Sequence, residues 1–144
     1  MALLYTGMDE AWYGPMLGPL CVAHSLLSID AWTPGGTAPT LWQTIDERVG
    51  KSKTDAKTKI AVGDSKKLKL PNSSKTNHPL IHLERAVLAF LAARDGEYPK
   101  TDLELYKTLG SELESHPWGL VNPITLPLGV SHDHLMIDAS HLRT

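Results

Sequence analysis

The sequence has little of three things that often decide a protein's class: cysteine, long apolar runs and charge of one sign. Cys21 is the only cysteine among 144 residues, so no disulfide can form within the chain, and a cytoplasmic protein is expected. No apolar run approaches the roughly 20 residues that a membrane-spanning helix needs. The start lacks the charged segment of a signal peptide. The composition therefore predicts a soluble protein with no membrane partner.

The net charge of −2 at pH 7 does not mark the whole chain as a nucleic-acid-binding protein. A local basic patch can still bind phosphate within a near-neutral domain. Residues 51–75 form such a stretch, because only Asp55 and Asp64 oppose its lysines, which are Lys51, Lys53, Lys57, Lys59, Lys66, Lys67, Lys69 and Lys75. A charge run is also typical of a solvated surface, so both interpretations stay open.

Apolar runs bounded by glycine and proline predict a β-hairpin at the start of the chain. The runs cover residues 3–8 and 20–29, and the segment between them carries Gly-Pro twice. A brief third strand is expected at 60–62. Capping residues and closing glycines predict helices within 40–50, 79–96 and 101–110. Residues 131–138 allow either a helix capped by Ser131 or a strand that ends at Asp138.

This order of elements indicates an α+β or mixed α/β domain with an antiparallel N-terminal hairpin and flanking helices. No repeat and no linker divides the chain. A length of 144 residues suits one domain with one core. We therefore expect a single domain over residues 1–144.

Two adjacent acids, Asp9 and Glu10, follow the first apolar run. Hard divalent cations prefer carboxylate oxygens, and two such ions can hold the attacking and leaving oxygens of a phosphoryl transfer. Neighbouring strand residues point to opposite faces, so both acids reach one site only if the backbone turns between them. The pair indicates either a metal site or a solvated strand end.

A second short motif, GDSKKL, occupies residues 63–68. Asp64 and Ser65 can cap a following turn, and Lys66 and Lys67 add adjacent positive charges that suit phosphate groups. The alternative interpretation is an exposed, capped helix start with no binding role. Each motif is modest evidence when taken alone.

Together and in this order, GMDEAWYGPMLGPL and GDSKKL resemble the type II ribonuclease H (ribonuclease HII) family. Members of that family open with a Gly-Ile-Asp-Glu-Ala-Gly-Arg-Gly-Pro-like block on the first strand, and an Asp-Ser-Lys-Lys-Leu block follows. The resemblance covers about the first half of the chain. The matching residues are Gly7, Asp9, Glu10, Ala11, Gly14, Pro15, Gly18, Pro19, Asp64, Ser65, Lys66, Lys67 and Leu68.

The resemblance implies a ribonuclease H-like fold and a metal-dependent endonuclease that hydrolyses the RNA strand of RNA–DNA hybrids. It implies Mg²⁺ or Mn²⁺ as the cofactor and an RNA–DNA hybrid or related duplex as the partner. By position, Asp9 and Glu10 would be catalytic metal ligands. Ser65, Lys66 and Lys67 would lie near the nucleic-acid backbone.

The chain departs from the family at the segment that recognises the ribonucleotide. Gly-Arg-Gly in the family is Trp12-Tyr13-Gly14 here. Glycine allows close backbone approach, and arginine supplies fixed charged donors that tyrosine lacks. Tyr13 can still stack or donate one hydrogen bond. We expect Tyr13 and Gly14 to contact nucleic acid, with an altered substrate preference.

A second departure concerns two further acids that the family carries late in its catalytic domain. Asp138 is the only candidate for the third catalytic acid, and no acid follows it. The resemblance thus implies the N-terminal part of a ribonuclease H-like domain, with an incomplete sheet. Two alternatives remain: a non-catalytic nucleic-acid-binding relative or inactive fragment of the same fold, and a small α+β protein whose acids and lysines are surface residues.

Overall fold

The computed structural model of the protein describes residues 2–10, 21–30, 32–111 and 122–143. Its architecture is mixed, with helices, one antiparallel strand pair and one parallel strand pair among these residues. The coarse fold class predicted from the sequence is confirmed. The chain divides into two compact units, Met1–Leu41 and Trp42–Thr144.

The first unit contains a two-stranded antiparallel hairpin, as predicted. Strand β1 covers Leu3–Glu10 and strand β2 covers Val22–Ile29. The register places Leu3 opposite Ile29 and Glu10 opposite Val22. Strand β1 therefore extends two residues beyond the predicted end and includes both adjacent acids.

The two faces of this hairpin differ in how far they are covered. Directly opposed residues share a face, so the register groups the side chains. One face includes Tyr5, whose hydroxyl donates to the carbonyl oxygen of Pro39. The other carries Glu10 and exposes four large apolar side chains. This apolar hairpin face consists of Leu4, Met8, Val22 and Leu26.

The second unit begins with short elements around a parallel strand pair. Helix α1 is Leu41–Ile45, strand β3 is Val49–Gly50, a single 3₁₀ turn is Asp55–Lys57, and strand β4 is Ile60–Ala61. The expected third strand is thus present. The helix predicted to run to residue 50 ends earlier, because residues 49–50 pair with β4 instead. Four buried residues form this strand pair.

Four further helices lie in the described part of the second unit. They are α2 (Ser65–Leu68), α3 (Ile81–Asp95), α4 (Asp102–Thr108) and α5 (His132–Arg143). The predicted end of α3 is confirmed by Gly96, which has a φ of 94° and so adopts the left-handed conformation that glycine tolerates. The predicted cap of α4 is confirmed by the Thr101 hydroxyl, which accepts the Glu104 N–H at 3.2 Å. Local signals therefore place these two helices correctly.

Helices α3 and α5 pack against each other and form the centre of the hydrophobic core. Leu88 and Ala92 of α3 and Leu135 of α5 are almost completely inaccessible to solvent. The Arg143 Nε donates to the carbonyl oxygen of Ala93 at 2.8 Å and so satisfies a free carbonyl near the end of α3. Apolar packing and this cap together hold the two helices in contact.

The C-terminal segment is helical, so the strand alternative for residues 131–138 is wrong. The Ser131 hydroxyl accepts the His134 N–H at 3.3 Å, as expected of a residue that caps a helix. Among the described residues, no helix is both long enough and apolar enough to cross a membrane.

Candidate functional site

Asp9 and Glu10 are the last two residues of β1, and both side chains are exposed. They stand opposite Ala23 and Val22 in a regular antiparallel register. Successive residues of a strand face opposite sides, so the two carboxylates leave opposite faces of the hairpin. Strand β1 continues through both acids without the turn that would direct them to one point.

The donor chemistry of this pair fits a hard divalent cation. Mg²⁺ in proteins is commonly held by one or two carboxylates together with water and substrate phosphates. Within residues 2–10, 21–30, 32–111 and 122–143, no three His, Cys, Asp or Glu side chains form a group that could hold a metal. Asp9 and Glu10 would therefore need water, phosphate or other residues to complete a coordination shell.

The GDSKKL motif forms a tight, capped turn that leads into α2. The Asp64 carboxylate accepts the Lys66 N–H at 2.9 Å, which is an N-cap hydrogen bond. Leu68 is 2% exposed and anchors the short helix in the core. Gly63 is required for space, because a Cβ there would lie 2.9 Å from the Lys51 carbonyl oxygen. Three of the six motif residues thus have structural roles.

The other three residues of the motif, Ser65, Lys66 and Lys67, are exposed. Within the described part of the chain, neither lysine ammonium group forms an ion pair or a side-chain hydrogen bond. The two positive charges are therefore open to solvent on a turn whose backbone is fixed. Such an arrangement suits contact with phosphate oxygens.

The loop after β3 is organised around the carboxylate of Asp55. One oxygen of this carboxylate accepts the N–H of Lys51 at 2.9 Å, the N–H of Ser52 at 3.0 Å and the Ser52 hydroxyl at 2.9 Å. These bonds, led by the Ser52 hydroxyl, lower the pKa of Asp55. A Cβ at Gly50 would lie 2.2 Å from the Asp55 Cβ, so glycine is needed beneath this loop. The loop thus carries an internal anion.

Asp138, the candidate third acid, lies on α5 and is buried. Arg85 of α3 donates to both of its carboxylate oxygens, from Nε at 2.6 Å and from Nη2 at 2.8 Å. The remaining Arg85 nitrogen, Nη1, donates to the Ala56 carbonyl oxygen at 2.7 Å. The arrangement is a bidentate buried ion pair that joins two core helices and the 3₁₀ turn. Its geometry gives Asp138 a structural role.

Tyr13 and Gly14, which the resemblance places at the nucleic acid, lie outside the described residues, as does Trp12. Their contribution to binding stays a prediction. The structure describes the α2 turn in full and only the strands of the hairpin.

Sequence reasoning missed two residues that shape this part of the molecule, Arg85 and Asp55. Arg85 is separated from Asp138 by 53 positions, and no local sequence pattern predicts an ion pair between such distant residues. Asp55 did carry a signal. Ser52 and Asp55 have the spacing of a capping box, and they exchange its reciprocal bonds: the Asp55 N–H also donates to the Ser52 hydroxyl at 3.3 Å.

Comparison of the chain with protein-family models, with curated proteins and with solved structures finds no match. The resemblance to type II ribonucleases H therefore rests on the two ordered sequence motifs alone.

Proposed function

We propose that the protein is a metal-dependent endonuclease of the ribonuclease HII type, which hydrolyses the RNA strand of RNA–DNA hybrids. The observation that carries this proposal is the ordered pair of motifs, GMDEAWYGP at the end of β1 and GDSKKL at the start of α2. The fold that goes with it is ribonuclease H-like.

The structural division of GDSKKL supports a binding role for its exposed half. A merely structural turn needs Gly63, Asp64 and Leu68, but it does not need two adjacent lysines in solvent. In the proposal, Lys66 and Lys67 contact phosphates and Ser65 donates a hydrogen bond to the same backbone. Tyr13 and Gly14 contact the nucleotide at the cleavage point.

The cofactor in this proposal is Mg²⁺ or Mn²⁺, with Asp9 and Glu10 as the proposed carboxylate ligands. Because the two side chains leave opposite faces of β1, joint coordination of one ion requires the strand end to turn between them when the ion binds. A bound divalent ion of this kind stabilises negative charge on the reacting phosphate and its leaving oxygen. Both acids are exposed at the strand end. Distinguishing RNA from DNA requires a contact to the 2′-hydroxyl, which is the role assigned to the segment around Tyr13.

A second candidate function is nucleic-acid binding without catalysis. One observation favours it: both oxygens of Asp138 are occupied by Arg85, so this residue is not free to serve as a third metal ligand. Such a protein would bind hybrid or duplex through its lysines, and the binding would weaken as salt is added. It would not cleave the bound strand with any divalent ion.

The decisive experiment measures cleavage of a labelled RNA–DNA hybrid with Mg²⁺ or Mn²⁺ by the full chain and by Asp9→Asn. A matched control is Asp30→Asn, which removes the same charge from another exposed acid of the first unit. We expect metal-dependent cleavage by the chain and the control, and a loss of at least about 100-fold in Asp9→Asn, as for removal of a group that stabilises reacting charge.

Other outcomes separate the alternatives. Salt-sensitive hybrid binding without cleavage by folded protein would replace the nuclease proposal with the binding function. Cleavage that survives unchanged in Asp9→Asn would show that Asp9 is not a ligand of the working ion. Absence of both cleavage and binding would leave a small α+β protein whose charged residues are surface groups.

A further inference from the structure

Two lysine-bearing loops leave the same edge of the parallel strand pair in the second unit. Strand β3 runs directly into Lys51 and Lys53, and β4 runs through Gly63 into α2. The strands are parallel, with Val49 opposite Ile60, so their carboxyl ends lie side by side. Loops at the carboxyl ends of parallel strands are the usual location of ligand sites in α/β proteins.

Direct contacts join the two loops. The Lys51 carbonyl oxygen lies so close to Gly63 that a Cβ there would approach it to 2.9 Å. The Lys53 ammonium group donates to the carbonyl oxygen of Lys69 at 2.8 Å, which places it at the end of α2. Lys66 and Lys67 lie between these two contact points along the chain. The two loops that carry these lysines are therefore in contact, although they are separated in sequence.

The two acids of residues 51–75 do not form ion pairs with these lysines. The Asp55 carboxylate accepts bonds within its own loop, and Asp64 caps α2. No ion pair within 4.0 Å that the described residues form includes a lysine of this stretch. Lys51 lies over the Trp42 ring, 4.6 Å from its centroid, a contact that leaves its charge intact.

The lowered pKa of the neighbouring His82 is consistent with positive charge from the surrounding side chains. Burial lowers the pKa of His82 first, and the charges of Lys53 and Arg85 lower it further. Protonation of His82 is thus disfavoured beside this surface. A neutral imidazole at neutral pH neither adds to the positive charge nor offsets it.

We infer that Lys51, Lys53, Lys66, Lys67 and Lys69 form one binding surface for the sugar–phosphate backbone of a nucleic-acid duplex, here called the lysine surface. It extends the proposed function, on which the identity of the partner rests, by adding three lysines that lie outside the GDSKKL motif. The surface belongs entirely to the second unit and contains no base-reading group. It binds hybrid and DNA duplex of any sequence through phosphate charge.

The test measures the affinity of the full chain for a fluorescein-labelled RNA–DNA hybrid and for a DNA duplex of the same sequence. Fluorescence anisotropy is recorded without divalent ions, from about 50 to 200 mM KCl. The informative variant is Lys51→Gln/Lys53→Gln, which leaves the GDSKKL motif unchanged. The charge-matched control is Lys100→Gln/Lys107→Gln, in which Lys100 precedes α4 and Lys107 lies within it. Circular dichroism verifies that each variant is folded.

We expect the slope of log affinity against log salt concentration to become shallower by about 2 in the Lys51/Lys53 variant, since each phosphate contact contributes about 0.9. The loss should be equal for hybrid and DNA duplex, and larger than in the control. A slope and affinity equal to those of the control would overturn the inference. Lack of any duplex binding by the unaltered chain would overturn it as well.

This test separates the inference from the proposed activity. A chain that cleaves hybrid normally but shows no special effect of Lys51 and Lys53 retains the nuclease function and refutes the lysine surface. A chain that never cleaves hybrid but loses about two units of slope in the variant supports the lysine surface and refutes the nuclease function.

Discussion

The hairpin and the α3–α5 pair both rely on apolar residues, but only the helices bury them. Leu88 on α3 is 1% exposed, whereas Leu26 on β2 is 62% exposed and Met8 on β1 is 78% exposed. An isolated two-stranded hairpin is marginally stable in water, since it has no second layer to cover its faces. Ladder hydrogen bonds determine the shape of the hairpin, while packing determines the stability of the helical unit.

The comparison extends to charge. The buried carboxylate of Asp138 has a guanidinium partner, whereas Asp9 and Glu10 of the hairpin are exposed. Burial makes a charged group depend on its partner, because an unpaired charge is poorly solvated in the interior. The same type of side chain is therefore buried against a core partner in one unit and exposed at the surface in the other.

The largest effect is expected from breaking the buried ion pair. Asp138→Ala leaves the Arg85 guanidinium buried without its carboxylate, so the free energy of unfolding should fall by about 3–5 kcal/mol. Urea unfolding followed by circular dichroism at 222 nm measures this change. The double variant Arg85→Met/Asp138→Leu, which removes both charges, should recover most of the loss. A small loss of stability combined with abolished hybrid cleavage would instead make Asp138 a catalytic acid.

An intermediate effect on the free energy of unfolding is expected from replacing one leucine by alanine in each unit. Leu88→Ala opens a cavity between α3 and α5 and should lower the free energy of unfolding by about 3 kcal/mol. Leu26→Ala on the apolar hairpin face should change it by less than about 0.5 kcal/mol, because the side chain is already mostly in water. Urea unfolding of both variants provides the measurement. Equal losses would mean that the hairpin face is covered in solution.

The smallest effect concerns the pH dependence of the Asp55 loop. Hydrogen bonds lower the pKa of Asp55, so its ionised form favours the folded loop. That contribution is complete above the ordinary carboxyl value of about 4 and is lost as the pH falls through the lower folded-state pKa. The amide resonances of Lys51 and Ser52, followed by NMR, should stay constant from neutral pH down to about 4 and shift only below it. Asp55→Asn should remove this titration, and a midpoint above 4 would contradict the assigned hydrogen bonds.

Local sequence signals predicted the elements that depend on local chemistry. The hairpin, the glycine that ends α3 and the threonine that caps α4 were all correctly placed. Strand β4 was predicted, but β3 and its parallel pairing with β4 were not, because the two strands contain only two residues each and are defined by contacts between them. Such short strands have no recognisable period, and only the folded unit determines that they pair.

In the candidate site, too, features set by local sequence were predicted and features set by tertiary contacts were not. The cap made by Asp64 followed from residue type and spacing, and the structure contains it. The ion pair of Arg85 with Asp138 could not be foreseen, since it joins residues 53 positions apart. The contact between Lys53 and Lys69 is also tertiary, because it connects two loops through a side chain. Charge content was visible in the sequence, whereas its arrangement on one surface was not.

The carboxylate of Asp55 has a consequence for how the lysine surface would meet a partner. The loop that holds Lys51 and Ser52 contains its own carboxylate, so the backbone N–H groups of these two residues are satisfied before any phosphate arrives. A partner therefore does not have to order this loop, and association avoids that entropic penalty. In the inferred binding mode, phosphates would meet lysines carried by a loop whose backbone already has its final shape.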